Sequence, residues 1–225
     1  MNKIWCTMGM FLLSCACGVQ EAPSNAVSLA GQQPETWRPL FDGKTLNGWK
    51  PTSFGGEGAV SVRDGRILLE AGDPLTGVTW TGGQIPRMNY EIALEAMRVQ
   101  GSDFFCALTF PVADWFCSLI LGGWGGSVVG LSSLDGMDAS ENETSTAMNF
   151  EYDRWYRVRL QVTPSAIVAW VDDKKIVDAS IKDRRISTRI EVSLSEPLGV
   201  ASYMTQAAIR DIKVRMIPSA PEKGK

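Results

Sequence analysis

Short segments in which apolar and polar side chains alternate recur along most of this chain, and they constrain its fold more than any other feature. Residues 155–163 read WYRVRLQVT, and residues 166–172, after a Pro-Ser turn, alternate in the same way. A period of two is typical of β-strands that bury one face. About a dozen such segments, separated by Gly, Asp, Asn and Pro turns, predict one all-β domain, an antiparallel β-sandwich. We find no capped helix of three turns.

Two places depart from this regular pattern. Near the end of the chain, Ile209 and Ile212 are three residues apart, which breaks strict alternation and predicts a β-bulge. Residues 188–194 fit either a strand or part of an irregular loop.

The composition excludes several classes of function. With 22 Lys and Arg against 25 Asp and Glu, the net charge is −3 and the cations are scattered, so nucleic acid is not expected as a partner. The absence of His removes Ser-His and Cys-His dyads and His-ligated metals. Any catalysis must use carboxylates, Tyr, Lys, Arg or Cys. No cofactor is required, and a metal bound among oxygen ligands would be calcium.

The first residues have the features of an export signal. A positive start precedes an apolar run over residues 4–13 that is too short to cross a bilayer. The sequence LLSC that ends at Cys15 resembles a bacterial lipoprotein box, so residues 1–17 are interpreted as a signal peptide of lipoprotein type, with Cys15 or Cys17 lipidated. An ordinary secretory signal cleaved near Ala30 is the alternative. Either interpretation places the protein outside the cytoplasm.

The rest of the chain divides by composition. Residues 18–36 are rich in Gln, Ala, Pro, Ser and Gly and are interpreted as a flexible tether. Residues 37–218 form the predicted sandwich domain, and residues 219–225 form a tail. With a lipid anchor as its only contact with the membrane, the protein is expected in the cell envelope, either periplasmic or at the outer membrane.

Two cysteines fall inside the predicted domain. Cys106 and Cys117 flank a turn predicted at residues 111–114, and in that register they face one another across paired strands. An exported compartment would permit a disulfide. Two buried thiols that pack as small apolar groups are the alternative.

The stretch LFDGKTLNGWK, residues 40–50, contains two Gly turns and the apolar Phe41, Leu46 and Trp49. It resembles the opening motif of the 3-keto-disaccharide hydrolase-like family, as does the later IRDI at residues 209–212. The resemblance extends over roughly residues 38 to 217 and implies a concanavalin A-like jelly roll. We interpret the motif itself as a structural clasp, because Asp-Gly and Asn-Gly are turn-forming pairs.

The resemblance also implies an exported bacterial protein that hydrolyses 3-keto-glycosides. Members of the family commonly carry a His before the last strand and a Glu-x-Gln element on a central strand. This chain has neither, and its central strand reads CSLILGG over residues 117–123. The resemblance therefore supports the fold more strongly than the enzymatic activity.

The segment with the most candidate ligand-binding groups is residues 121–144, LGGWGGSVVGLSSLDGMDASENET. Its Trp, flanked by two glycines on each side, can stack on a pyranose ring, and its carboxylates can act as a general acid or base or bind calcium. The alternatives are a hairpin with a shielding Trp and a solvated polar loop. The predicted catalytic residues of this loop are Asp135, Asp138 and Glu141, and the predicted substrate-binding residues are Trp124 and Asn142.

Three further residues outside this loop are candidates. Glu95 shares a predicted strand face with Glu91, which resembles the Glu-x-Asp-x-Glu strand of laminarinase-type glucanases, although Ala93 replaces the central Asp. A charged solvent face is the alternative. Asp103 could be a cleft acid or a turn residue. Arg154 could bind a substrate hydroxyl. Glu95 is thus a fourth catalytic candidate, and Asp103 and Arg154 join the substrate-binding set.

Together these features predict an exported carbohydrate-active protein that hydrolyses 3-keto-glycosides or related sugars. A non-catalytic lectin-like or adhesion module is the alternative. A carbohydrate or keto-sugar is the expected ligand in both cases.

Overall fold

A computed structural model describes residues 36–218 of the protein. The predictions of a signal peptide, most of the tether and the tail fall on residues 1–35 and 219–225, outside the described residues. Within the described part of the chain, no helix is long and apolar enough to cross a membrane.

Residues 36–218 form two antiparallel β-sheets, one of eight strands and one of seven. The strands, in chain order, are β1 (Arg38–Pro39), β2 (Trp49–Pro51), β3 (Val60–Arg63), β4 (Arg66–Leu69), β5 (Leu75–Trp80), β6 (Tyr90–Gln100), β7 (Cys106–Val112), β8 (Trp115–Gly123), β9 (Val128–Ser132), β10 (Thr146–Ala147), β11 (Trp155–Val162), β12 (Ala166–Val171), β13 (Lys174–Ser180), β14 (Gly199–Tyr203) and β15 (Gln206–Met216).

The strand order confirms the predicted sandwich. The eight-stranded sheet runs β13-β12-β11-β6-β15-β4-β3, with β1 beside β15. The seven-stranded sheet runs β10-β9-β8-β7-β14-β5-β2. Each sheet combines hairpins of consecutive strands, such as β11-β12-β13 and β7-β8-β9, with neighbours that are distant in the sequence, such as β6 and β15 or β5 and β14. The predicted bulge in the last strand is also confirmed, as its register shifts between Arg210 and Lys213.

The core lies between the sheets and is built from the inward side chains of each alternating strand. In β11 the buried positions are Tyr156, Val158, Leu160 and Val162, every second residue of the strand. Each large apolar side chain buried in this way stabilises the fold by about 2 kcal/mol.

The predicted clasp is a turn followed by a buried Trp. Asp42 accepts hydrogen bonds from the backbone and hydroxyl of Thr45 at 2.8 and 2.7 Å, and the backbone bond lowers the pKa of Asp42. The Trp49 indole donates to the Leu40 carbonyl at 2.8 Å and packs edge-on against Trp80, with ring centroids 5.2 Å apart. The motif therefore closes on itself and fixes one end of the sandwich.

The prediction that Cys106 and Cys117 face one another is wrong. A two-residue turn at Ala113 and Asp114 connects β7 to β8, so Cys106 pairs with Leu121 and Cys117 pairs with Phe110. Both thiols are free and fully buried, as in the predicted alternative, and burial raises the pKa of each to about 12.

Neither buried thiol should be alkylated by iodoacetamide in the native protein at pH 8. With a pKa near 12, about one thiol in ten thousand is a thiolate at that pH, and the side chains are shielded from solvent. Guanidinium should expose both, and mass spectrometry of the peptide that carries them should then show two added groups. Equal labelling rates in native and unfolded protein would contradict this arrangement.

Residues 188–194 form neither the predicted strand nor an irregular loop. A short 3₁₀ helix, Ile190–Ser195, occupies most of this segment, with Val192 and Ser195 buried. Its backbone packs near β5, and the Leu194 carbonyl accepts a hydrogen bond from the Thr79 hydroxyl at 3.0 Å. The segment is thereby fixed beside the seven-stranded sheet.

Candidate functional site

The outward face of the seven-stranded sheet carries small side chains at its centre. Gly77, Ala201, Ala107, Ile120 and Gly130 lie side by side in five adjacent strands. Phe104 packs over the small members of this row. A pocket lies beside them, and Ile120 is the member of the row that lines it.

The pocket has a volume of about 260 Å³. Aromatic, apolar, polar and charged side chains from β5, β8, β9, β14, the loops beside them and the 3₁₀ segment contribute to its wall. We call it the Arg189 pocket, and it is lined by Leu75, Asp103, Phe104, Ile120, Trp124, Ser132, Arg189, Glu191, Val192 and Tyr203.

Trp124 and Asp103, both predicted to bind substrate, lie together in this pocket. Trp124 stands in the turn between β8 and β9 with a φ of 50° and is 42% exposed. The Asp103 carboxylate accepts hydrogen bonds from the backbone N–H groups of Phe104 at 2.7 Å and Gly125 at 3.0 Å. Asp103 therefore positions the Trp124 turn, and among residues 36–218 no cation lies within 4 Å of its carboxylate.

A buried arginine supports the same turn from below. Arg98 is 5% exposed, and its Nη2 donates to the carbonyls of Asp103, Gly122 and Gly126 at 3.1, 3.2 and 2.9 Å. Burial lowers the pKa of this arginine. Gly122 has to be a glycine, because its φ is +74° and a Cβ would lie 2.3 Å from Arg98.

Arg189 lies near Trp124, with its Cζ 6.0 Å from the ring centroid, and is held there by two carboxylates. Its Nη1 donates to Asp138, and its Nε and Nη2 donate to the two oxygens of Glu191 at 3.2 and 2.8 Å. These bonds lower the pKa of Glu191 and raise the pKa of Arg189. A guanidinium has five N–H groups, so two remain without a described partner and can bind a ligand.

The predicted catalytic carboxylates of the 133–145 loop are engaged with protein groups. Asp138 accepts hydrogen bonds from the hydroxyls of Ser132 and Ser133 in addition to Arg189, and it does not itself line the pocket. Asp135 binds Arg184 and the Arg185 backbone, which lowers its pKa. The remaining carboxylate of the set, Glu141, accepts from the Asp138 backbone at 3.3 Å.

Asn142, predicted to bind substrate, is 5% exposed and lies inside this loop. Its amide nitrogen donates to the carbonyls of Leu131, Met137 and Asp138 at 2.8, 3.1 and 2.8 Å. Its oxygen accepts from the backbone and hydroxyl of Thr144 at 3.0 and 2.6 Å. Every polar atom of the side chain is thus used to fold the loop.

The acidic residues of the loop do not converge on one point. Glu143 binds Arg184, which lowers the pKa of Glu143, while Asp138 faces Arg189 instead. Across residues 36–218, no group of three or more Asp, Glu or Cys side chains has an arrangement that could hold a metal ion.

The last two predicted residues lie on the other sheet or at its margin. Glu95 points outward from β6 and pairs with Arg210. Arg154 donates to Asp172 at 2.8 Å and stacks over the Tyr156 ring, 4.3 Å from its centroid. Neither residue lines the Arg189 pocket.

Sequence reasoning missed most of the pocket wall, including Arg189, Glu191 and Tyr203. Arg189 and Glu191 lie in a segment with no clear periodicity, and only the fold brings it across the seven-stranded sheet. The available signal was a charged pair two residues apart in a segment otherwise rich in Ser, Thr and Ile. Tyr203 ends a strand whose outward positions are otherwise Gly and Ala, and this contrast in size marks a pocket wall.

The two-layered β-architecture and the pocket on one outer face define the class: an antiparallel sandwich of the lectin and glycosidase type. The chain belongs to the family described as the 3-keto-alpha-glucoside-1,2-lyase-like domain, whose family model matches residues 36–215. This confirms the family that the opening motif indicated. The chain is therefore a carbohydrate-active domain, of a glycosidase-like or carbohydrate-binding kind.

Solved structures share the fold at low sequence identity. They include the carbohydrate-binding module CBM66 from Bacillus subtilis (TM-score 0.50, 12% identity, 75% of this chain and 96% of that one) and the Crh5 transglycosylase in complex with NAG (0.54, 8%, 83% and 85%). A structure reported with endo-acting O-glycanases of the human gut microbiota is also similar (0.55, 11%, 83% and 100%). A search of curated protein sequences gives no match.

Proposed function

We propose that the Arg189 pocket binds a 3-keto-glycoside or a related sugar and cleaves its glycosidic bond. The observation that carries this proposal is the meeting of three kinds of group in one cavity: aromatic rings, a fixed guanidinium and a carboxylate without an ion pair. The cavity, at about 260 Å³, is smaller than the roughly 300–1,000 Å³ of drug-sized sites, so it suits one sugar ring with the rest of the substrate outside.

Each group has a role in recognition. The Trp124 indole is exposed enough to pack against the apolar face of the ring, as Phe104 and Tyr203 are placed to do from the same wall. The two N–H groups of Arg189 that lack a described partner would donate to the C3 carbonyl oxygen. Because Asp138 and Glu191 already fix the guanidinium, little side-chain entropy is lost on binding.

The family description names a 1,2-lyase, and the chemistry of a 3-keto-sugar supports that reaction here. The C3 carbonyl acidifies the C2 hydrogen, and Asp103 would remove that proton as a general base. Arg189 would stabilise the negative charge that develops on the C3 oxygen. The electron pair then forms the C1–C2 double bond as the C1–O bond breaks, and the proton held by Asp103 passes to the leaving oxygen. Addition of water across C1–C2 would complete a net hydrolysis.

A second candidate is a sugar-binding module without catalysis. The observation in its favour is that the two acids next to Arg189, Asp138 and Glu191, are already bound to it, and Asp103 accepts two backbone hydrogen bonds. Carboxylates whose oxygens are already engaged in hydrogen bonds are poorly placed to accept a proton from a substrate. Binding and cleavage must therefore be measured separately.

We also propose that the protein is exported, is anchored by a lipid at Cys15 or Cys17, and acts in the cell envelope without a required cofactor. Calcium remains a candidate ligand of the acidic loop and enters the experiment as a variable. Radiolabelled palmitate incorporation, compared between the wild type and its Cys15→Ala and Cys17→Ala variants, would test the anchor.

The decisive experiment incubates the purified protein with a panel of 3-keto-disaccharides, with calcium or with a chelator, and measures binding and product. Asp103→Asn should lower turnover by about 100-fold or more while sugar binding remains. Asp114→Asn, which changes an exposed turn carboxylate, should have no effect. Binding without product in the wild type would support the module. If the wild type neither binds the sugars nor releases product, both candidates are contradicted.

A further inference from the structure

The outer face of the eight-stranded sheet carries a second groove, on the opposite side of the sandwich from the Arg189 pocket. Its floor is Ala93, which pairs with Arg159 of β11 on one side and with Lys213 of β15 on the other. Adjacent strands lie about 4.8 Å apart, so the Cα atoms of the two cationic residues are about 10 Å from each other, with the methyl group of Ala93 between them. The resulting cavity has a volume of about 210 Å³.

Tryptophans hold the cations of this groove in place. The Arg159 guanidinium stacks on Trp170 at 3.7 Å from the ring centroid and donates to Glu91 at 3.0 Å. Lys213 lies over Trp37 at 5.4 Å. Such stacking reduces the entropy that a long cationic side chain would lose on binding a ligand.

Glu91 is the anchor of this arrangement. Its side chain is 2% exposed although it lies on the outward face of β6, because Arg159, Arg215 and Gln161 cover it. Arg215 in turn stacks on the opposite side of the face, over Trp37 at 4.6 Å. A buried carboxylate with two arginines fixes the spacing of the whole array, so the groove is built rather than accidental.

Two charged residues that line the groove, Lys213 and Asp211, have no ion pair among residues 36–218. Arg157, Arg159, Arg210 and Arg215 each lie within 3.0 Å of a carboxylate oxygen. Lys213 has no carboxylate within 4 Å among residues 36–218. A ligand carboxylate placed over Ala93 would pair with Lys213 and with N–H groups of Arg159 that have no described partner.

We propose that this groove binds the carboxylate of an acidic sugar, such as a uronic acid residue of a polysaccharide. Glu95 and Asp211 also line the groove and can accept hydrogen bonds from sugar hydroxyls. The same carboxylates disfavour a doubly charged phosphate monoester more than a singly charged carboxylate. A uronic acid residue carries one negative charge and several hydroxyl donors, which matches the mixture of cations and carboxylates that lines the groove. The proposal does not depend on the function of the Arg189 pocket.

The test titrates trigalacturonic acid, with a neutral trisaccharide as the comparison, into the purified protein by calorimetry. Lys213→Met should weaken binding of the acidic sugar by about tenfold, as expected for loss of one charge-assisted contact. Ala93→Glu should abolish it, because it fills the floor and adds a negative charge. Raising the salt concentration should weaken wild-type binding.

Lys44→Met, which removes an exposed cation from the opening turn, is the matched control and should bind like the wild type. Circular dichroism and the Tm should confirm that each variant is folded. The proposal is overturned if the acidic sugar does not bind to the wild type. It is also overturned if Lys213→Met and Ala93→Glu both bind it as tightly as the wild type, or if only Arg189→Met removes the binding.

Discussion

Arg189→Met should weaken sugar binding in the Arg189 pocket by about 100-fold. Two charge-assisted hydrogen bonds to the ligand, at about 1.5 kcal/mol each, would be lost, and each 1.4 kcal/mol is a factor of ten in affinity. Calorimetric titration with a 3-keto-disaccharide that the wild type binds measures the effect directly.

Arg184→Met is the matched control for this experiment. Arg184 also bridges two carboxylates of the 133–145 loop, Asp135 and Glu143, but it does not line the pocket. Both variants therefore lose an equivalent set of ion pairs, and only Arg189→Met loses ligand contacts. Equal affinities in the two variants would show that Arg189 does not bind the sugar.

The ion pair of Arg189 also predicts a pH dependence. The hydrogen bond from Arg189 lowers the pKa of Glu191 from its ordinary value of 4.5. A carboxylate with a lowered folded-state pKa contributes stability above its unfolded pKa, and that contribution is lost as the pH falls through the folded value. The difference in stability between the wild type and Arg189→Met should therefore be constant from pH 8 to 5.5 and shrink below 4.5.

The sequence predicted the fold because its signals are local. Alternation in residues 155–163 fixes which side chains of β11 are inward, and the broken alternation between Ile209 and Ile212 marked the bulge of β15. The opening turn and its buried Trp49 were predicted for the same reason. The prediction of the register between β7 and β8 failed because the register depends on where the tight turn lies. Moving the turn by one or two residues leaves the alternating pattern of the strands unchanged.

The sequence indicated part of the wall of the Arg189 pocket through turn residues in two separate loops. Trp124 and Asp103 were found because Gly-rich and acidic turns are visible in the sequence. Arg189 was missed, since its position over the seven-stranded sheet depends on the packing of a 3₁₀ segment between distant strands. Asn142 was assigned to a ligand because nothing in its local sequence shows that five hydrogen bonds inside the loop already satisfy its amide.

Arg98→Met should lower the free energy of unfolding by about 3 kcal/mol, the largest loss of stability expected among these variants. Two effects of the substitution favour the folded state of the variant, and one opposes it. Removing a buried cation without a carboxylate partner relieves a desolvation cost, and Met keeps part of the packing against Phe105 and Phe150. Against these, three carbonyls lose their donor, at about 1–3 kcal/mol each when buried. The carbonyl term is the largest, although water can reach part of this turn.

Comparison with two further variants separates charge from hydrogen bonding at this position. A single nitrogen, Nη2, serves all three carbonyls, while Nε is buried without a partner. An ammonium offers three donors and no orphan group, so Arg98→Lys should recover at least about half of the loss. Arg66→Met is the control, because Arg66 has the same orphan Nε but only one exposed partner, Asp64, at 3.8 Å.

Denaturant unfolding gives the stabilities, and Trp124 gives a second measurement that reports on the pocket. Loss of the Arg98 bonds should free the turn that carries this indole, so acrylamide should quench more of the native fluorescence in Arg98→Met than in Arg66→Met. Adding Trp124→Phe to both variants should remove this difference in quenching. If Arg98→Met is as stable as the wild type and its quenching is unchanged, the turn is held by Asp103 alone, and the guanidinium beneath it has no positioning role.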